Sequence, residues 1–164
     1  MLKTIRLDIT EVKPRALIIH VVNNRNSMGA GVAKSLYTKW PLVKTQYHTR
    51  SQLLKDSSEL RTLGHTHIFP VQDLDDGAIF VANMYAQDGF GYDGKRYLQY
   101  DALERCLQVI QRTLELFERT ERPAQVYIPH FMGCGFAGGS WELVLELLDK
   151  YVPNGVICKL PSAD

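Results

Sequence analysis

The sequence is poor in several features that would fix its chemistry outright. It carries only three cysteines, Cys106, Cys134 and Cys158. Their number is odd and their spacing matches no metal site, so neither a disulfide framework nor a zinc cluster is indicated, and the chain is expected to be reduced and intracellular. It lacks charge of one sign: 19 Lys and Arg stand against 18 Asp and Glu. A net charge of +1 provides no basic field to draw it onto nucleic acid or a membrane surface. No apolar run is long enough to span a bilayer, and the opening MLKTIRLDIT has no apolar leader segment, so a cytoplasmic location is expected. Low-complexity tracts, internal repeats and linkers are also missing, so residues 1–164 are expected to form one domain with a sizeable core.

What is present concentrates in two segments. Residues 17–33 read LIIHVVNNRNSMGAGVA. An apolar strand at residues 17–22 gives way to a polar turn at residues 23–27 and then to Gly29-Ala30-Gly31. An amphipathic stretch, Val32-Ala33-Lys34-Ser35-Leu36, then begins a helix. Strand, glycine-rich turn and helix start in that order make an anion cradle: glycines allow close backbone approach, and the unpaired N–H groups and dipole of the helix end attract negative charge. The second segment runs from Val126-Tyr127-Ile128-Pro129 through His130-Phe131-Met132-Gly133-Cys134-Gly135-Phe136-Ala137-Gly138-Gly139-Ser140-Trp141. Two such loops at one sheet edge could hold a diphosphate from both sides.

Hydrophobic patterning supplies the frame. Strands are expected at residues 4–9, 17–22, 65–71, 78–85, 124–128 and 155–160. Asp73-Leu74-Asp75-Asp76-Gly77 reads as the turn between the third and fourth. A helix is expected from Gly31 to about His48, interrupted at Trp40-Pro41 because proline disfavours helical geometry just before itself. Another spans residues 98–119 on the stripe Leu103, Leu107, Ile110, Leu114 and Phe117, and a third spans residues 140–151, capped by Ser140. The order β-β-α-β-β-α-β-α-β predicts an α/β fold whose mainly parallel sheet is covered on both faces and binds ligands at the strands' carboxyl ends.

With these residues in view, the whole chain resembles a macro domain, the ADP-ribose-binding fold. The resemblance implies a three-layer α/β/α architecture with a central mixed, mainly parallel sheet. Leu7-Asp8-Ile9-Thr10 is similar to the family's opening Gly-Asp-Ile motif, with leucine in place of glycine, which gives Asp8, beside Ile9, the role of accepting from the adenine amino group. His20-Val21-Val22-Asn23 stands where the family has Asn-Ala-Ala-Asn, so Asn23 inherits the distal ribose. Met28-Gly29-Ala30-Gly31-Val32-Ala33 and Gly133-Cys134-Gly135-Phe136-Ala137-Gly138 match the two phosphate loops, with Phe136 beside the distal ribose. His20, the first loop and the second loop with Trp141 look like the ADP-ribose-1″-phosphate phosphatase branch. Gln87 and Ala137 stand where a related hydrolase branch has a lysine and an aspartate, which argues against that lysine-dependent mechanism.

The activity so implied is hydrolysis of ADP-ribose-1″-phosphate to ADP-ribose and phosphate, with no metal or cofactor. Backbone N–H groups of Gly31, Val32, Ala33, Gly133, Cys134, Gly135 and Phe136 would hold the diphosphate. An unperturbed imidazole titrates near working pH, so His20 is the candidate that activates water or protonates the leaving group, by acid–base chemistry or through a phosphohistidine. Asp88, in the glycine-flanked loop after the fourth strand, is the candidate orienter or base. Two alternatives stand: removal of ADP-ribose from a protein or nucleic acid, and a non-catalytic ADP-ribose reader. Other features have plainer readings. Asn24, Arg25 and Asn26 are turn formers; His65 and His67 share a strand face without a third metal ligand; Cys134 is a small packing residue; Trp40 and Trp141 pack at helix boundaries; and Tyr92, Lys95, Arg96 and Tyr97 form a solvated loop.

Overall fold

In the computed structural model, which describes residues 1–75, 77–120 and 122–162, alternation along each central strand sorts side chains to two cores. The strands are β1 (Lys3–Arg6), β2 (Ala16–Asn23), β3 (Thr66–Leu74), β4 (Gly77–Gln87), β5 (Gln125–Pro129) and β6 (Val156–Lys159). Helices α1 (Gly31–Lys39), α2 (Leu42–Asp56), α3 (Tyr100–Arg119) and α4 (Trp141–Tyr151) connect them, and a single 3-10 turn follows β1 at Ile9–Glu11. The strands lie in the order β1-β6-β5-β2-β4-β3, all parallel to their neighbours except β3, which runs antiparallel to β4. This is the mainly parallel sheet that the pattern of elements predicts, mixed as the family resemblance implies. Leu17 and Ile19 of β2 point to a core shared with α3 and α4, while Ala16, Ile18 and Val22 point to a core shared with α1 and α2. Every apolar residue from Ala16 to Ile19 is fully buried, which is why that run reads as continuous rather than alternating.

Three boundaries differ from expectation, each for a local reason. The first strand stops at Arg6 because Asp8 caps the 3-10 turn, its Oδ1 accepting from Thr10 N at 2.9 Å and Thr10 Oγ1 at 2.8 Å. The helix beginning at Gly31 breaks completely at Trp40-Pro41, and a separate helix continues well past His48 to Asp56. The β3–β4 turn is tighter than its acidic run suggests, with β3 reaching Leu74 and β4 starting at Gly77; Asp76 of that turn lies outside the described residues. Pro70 sits beside a bulge in the edge strand β3, where a missing N–H costs little. Among the described residues, no helix is long and apolar enough to cross a membrane.

Candidate functional site

The connections after the central strands diverge, and that divergence opens a cleft. From Asn23 at the end of β2 the chain turns toward the α1–α2 face, whereas from Gln87 and Pro129, ending β4 and β5, it turns toward the α3–α4 face. Open α/β sheets place ligands at such a switch point. The cleft encloses about 680 Å³ and is lined by both glycine loops, by His20 and Asn23, and by Gln87, Phe90 and Tyr92. That volume suits a nucleotide-sized ligand. A smaller hollow of about 250 Å³, between the carboxyl ends of α3 and α4 and including Gln111 and Asn154, carries neither loop. Among the described residues lining the cleft, none is an Asp, Glu, Lys or Arg.

The first loop presents bare backbone. Ala30 caps α1 without a side-chain bond, and among the described residues the N–H groups of Gly31, Val32 and Ala33 donate to nothing in the chain. Gly31 adopts φ +62, and a side chain at Gly29 or Gly31 would meet nothing within 4 Å, so these glycines border open space. The turn before them is tied down by side chains. Asn23 Oδ1 accepts from Arg25 N at 2.9 Å and from Tyr47 Oη at 2.8 Å, while Asn23 Nδ2 donates to the Ser27 carbonyl at 2.7 Å. Asn24, which the sequence offers only as a turn former, bridges to the β4 loop: its Nδ2 donates to Asp88 Oδ1 at 3.0 Å and its Oδ1 accepts from Gly89 N at 2.9 Å.

The second loop is braced by its own backbone. Cys134 N donates to the Phe131 carbonyl and Gly139 N to the Gly133 carbonyl. Among the described residues, the N–H groups of Gly135 and Phe136 donate to nothing in the chain and remain available. The Ala137 carbonyl accepts from both Tyr97 N and Leu98 N, which ties this loop to the end of the 88–97 segment. Phe136 and Tyr92 meet edge to face at 4.5 Å over the cleft, both largely exposed. Phe131, at φ 61, lies against His130 and the edge of Trp141.

His20 forms part of the floor and is only 2% exposed. It is in register with Asn83 of β4, and its Nε2 stands 2.5 Å from Asn83 Oδ1. With the amide oxygen facing the ring, the tautomer that fits this contact has the proton on Nε2 and the lone pair on Nδ1. Among the described residues, Nδ1 and Asn83 Nδ2 are both buried without a partner. Burial lowers the His20 pKa to about 4, against which the Asn83 bond works only partly, so the ring is neutral at pH 7.

The remaining expected site residues fall into two groups. Asn23, Met28, Gly29, Ala30, Gly31, Val32, Ala33, Gly133, Gly135, Phe136 and Ala137 come together around the cleft. Asp8, Ile9, Asp88, Cys134 and Gly138 do not line it. Asp8 caps the 3-10 turn, buried Ile9 belongs to the α1–α2 core, and exposed Asp88 is held sideways by Asn24. Gly138, at φ +72, packs against the backbone of Lys95 and Arg96. The Cys134 N–H is consumed within its loop, and burial pushes its thiol up to about 11, so it is not a nucleophile at neutral pH. His65 directly precedes β3 and His67 lies on it; burial, and after it the Arg50 charge, lowers the pKa of both. Among the described residues, no group of three or more His, Cys, Asp or Glu could hold a metal. The aromatic contributors Phe90, Tyr92 and Phe131 have no mark as site residues in the sequence, because an exposed aromatic in a loop carries no periodic signal.

No model of a known protein family matches this chain, and no curated protein matches it. Solved structures do. A protein of unknown function from Bacteroides thetaiotaomicron shares the fold with a TM-score of 0.76 at 25% identity, over 96% of both chains. A macrodomain protein from Streptomyces coelicolor matches with a TM-score of 0.69 at 23% identity, over 96% of this chain and 97% of its own. DarTG from Thermosipho africanus, in complex with ADP-ribose, matches at TM-score 0.63 and 18% identity, over 89% of this chain and 38% of its own. The fold of this chain is that of a macro domain.

Proposed function

We propose that the cleft binds ADP-ribose and that the chain hydrolyses ADP-ribose-1″-phosphate to ADP-ribose and phosphate. The observation that carries the binding is the opposition of two glycine loops with unpaired N–H groups across an uncharged cleft. Backbone donors and the dipole of α1 would then supply the attraction for the diphosphate without rearranging. The ADP-ribose held by the Thermosipho relative supports the same ligand class. Asn23 retains one amide hydrogen for the distal ribose, and Phe136 would pack beside that sugar. Asp8, whose Oδ1 is taken by Thr10, keeps Oδ2 to accept from the adenine amino group, with Ile9 beneath it. Met28 and Ala137 would complete the walls of the diphosphate channel.

For the chemical step, neutral His20 is present as a weak base and not as an acid. Its Nδ1, buried and without a partner in the ligand-free chain, would have to be uncovered on binding before it took a proton from water as the water oxygen bonds to phosphorus. The bond from phosphorus to the ribose oxygen breaks, and that oxygen leaves with a proton from solvent. Asp88 is assigned an orienting role, reached through the 88–97 loop. His20→Ala is expected to abolish phosphate release while leaving ADP-ribose affinity within a few-fold, and unchanged turnover would remove His20 from the mechanism. Phosphate release by the unmodified chain is expected to stay level from pH 8 to about 5, because a base with a pKa of about 4 remains unprotonated there. A fall through pH 6.5 would contradict this role.

A second reading, release of ADP-ribose from a protein or nucleic acid, draws on a different observation. A terminal phosphate dianion would find no cationic side chain along the described lining, whereas the mouth offers exposed aromatic rings to a bulkier attachment. Supplying ADP-ribose-1″-phosphate and ADP-ribosylated protein or DNA side by side separates the cases. Inorganic phosphate from the first supports the phosphatase; free ADP-ribose from the second supports the rival; binding with neither product identifies a reader.

A further inference from the structure

We infer that Tyr47 of α2 is a positioning residue whose buried hydroxyl sets where Asn23 and the glycine turn stand. Its consequence for ligand affinity rests on the ADP-ribose reading; the clamp itself does not. Four contacts converge on one oxygen. Tyr47 Oη lies 2.9 Å from the Asn23 carbonyl, 2.8 Å from Asn23 Oδ1 and 3.5 Å from the Ser27 carbonyl, acceptors that share its one hydrogen, and it accepts from Ser27 N at 3.1 Å. A phenol has one hydrogen and two lone pairs, so this turn occupies nearly all its bonding capacity. The ring is completely buried and stacks on Tyr85 at 5.7 Å, which fixes the hydroxyl from behind. Burial also pushes its ionisation upward, so the hydroxyl keeps its proton at any working pH.

The neighbouring residue of α2 grips the same turn. His48 Nδ1 stands 2.6 Å from Oδ1 of Asn26, whose φ of 56 is the left-handed turn conformation that asparagine tolerates better than most residues. Consecutive residues of one helix therefore hold the turn that leads directly into Gly29 and Gly31. Tyr85 of β4 supplies the contrast: its equally buried hydroxyl also crosses to α2, where it bonds Ser51 Oγ and the Tyr47 carbonyl, but it makes no bond to the turn.

The test compares Tyr47→Phe with Tyr85→Phe, two changes that each remove one buried hydroxyl and keep the ring. Amide hydrogen exchange is measured first, in the ligand-free protein, at Arg25 and Ser27. Arg25 N bonds the Asn23 side chain and not Tyr47, so its exchange reports the position of that side chain. Exchange at both amides is expected to quicken about tenfold in Tyr47→Phe and to stay within twofold in Tyr85→Phe, the scale of one lost hydrogen bond. Titration with ADP-ribose follows, with Kd expected to weaken about tenfold in the first variant only. Unchanged Arg25 exchange in Tyr47→Phe, or equal changes in the two variants, overturns the inference. If the unmodified chain binds no ADP-ribose, the functional reading fails while the exchange result still decides the clamp.

Discussion

The two glycine loops hold their shape by different means, the first chiefly by side chains and the second by main chain. The first is fixed from outside, by Tyr47 and His48 of α2 and by Asn24 reaching across to Gly89, while its own glycines border open space. The second is fixed by main chain, through its own Phe131–Cys134 and Gly133–Gly139 backbone bonds and the bonds of the Ala137 carbonyl to Tyr97 N and Leu98 N, and Gly138 and Gly139 are packed against neighbouring backbone. Only Gly135 in the second loop faces empty space as Gly29 and Gly31 do. Glycine thus serves two separate purposes here: an open approach for ligand at some positions, and a tight fit or a left-handed bend at others. A motif written as a string of glycines hides that distinction.

The comparison can be broken most forcefully at Gly138. A Cβ there would stand 2.6 Å from the Lys95 carbonyl oxygen with φ at +72. Gly138→Ala is expected to cost about 3 kcal/mol, from left-handed strain and overpacking together, and chemical denaturation would measure it. The floor beneath both loops gives the next largest effect. Because the folded pKa of His20 is depressed to about 4 from 6.5, the unfolded chain binds more protons between those values, and stability is lost as pH falls. From pH 7 to 5 this group should remove about 2 kcal/mol, a slope that His20→Gln should flatten in melts at both pH values. Gly135→Val sharpens the contrast with Gly138: its side chain would enter open space, so affinity for ADP-ribose should drop about tenfold or more with stability nearly unchanged. Loss of stability without loss of affinity would place Gly135 among the packing glycines. The smallest effect is expected from Asn24→Ala, which removes two exposed or half-buried bonds and should cost about 1 kcal/mol while loosening the 88–97 loop in hydrogen exchange.

The frame of the molecule was legible from its periodicities because burial and periodicity are the same physical fact. The continuous apolar run at β2 and the stripe on α3 both correspond to the cores they form. The Trp40-Pro41 break was visible, but not the length of α2, whose buried face is only Val43, Tyr47, Ser51 and Leu54 among many polar residues. In the site, glycine-rich loops after apolar strands were readable, since strand, turn and helix start are contiguous in sequence. Asn24 and Tyr47 were not. Their roles depend on partners 64 and 24 residues away, and nothing local marks a core-facing tyrosine as one whose hydroxyl reaches a loop. Nor can a motif reveal that His20 is sealed beneath the cleft, which changes it from a group titrating near neutrality to a neutral one.

Calorimetric titration of the ligand-free chain with ADP-ribose addresses the central claim most directly. Saturable heat at one molecule per chain, with affinity weakened about tenfold or more in Gly135→Val and retained in His20→Ala, is the expected result. An absence of saturable heat with the unmodified protein, at concentrations where it remains folded, would contradict the assignment of this cleft to ADP-ribose.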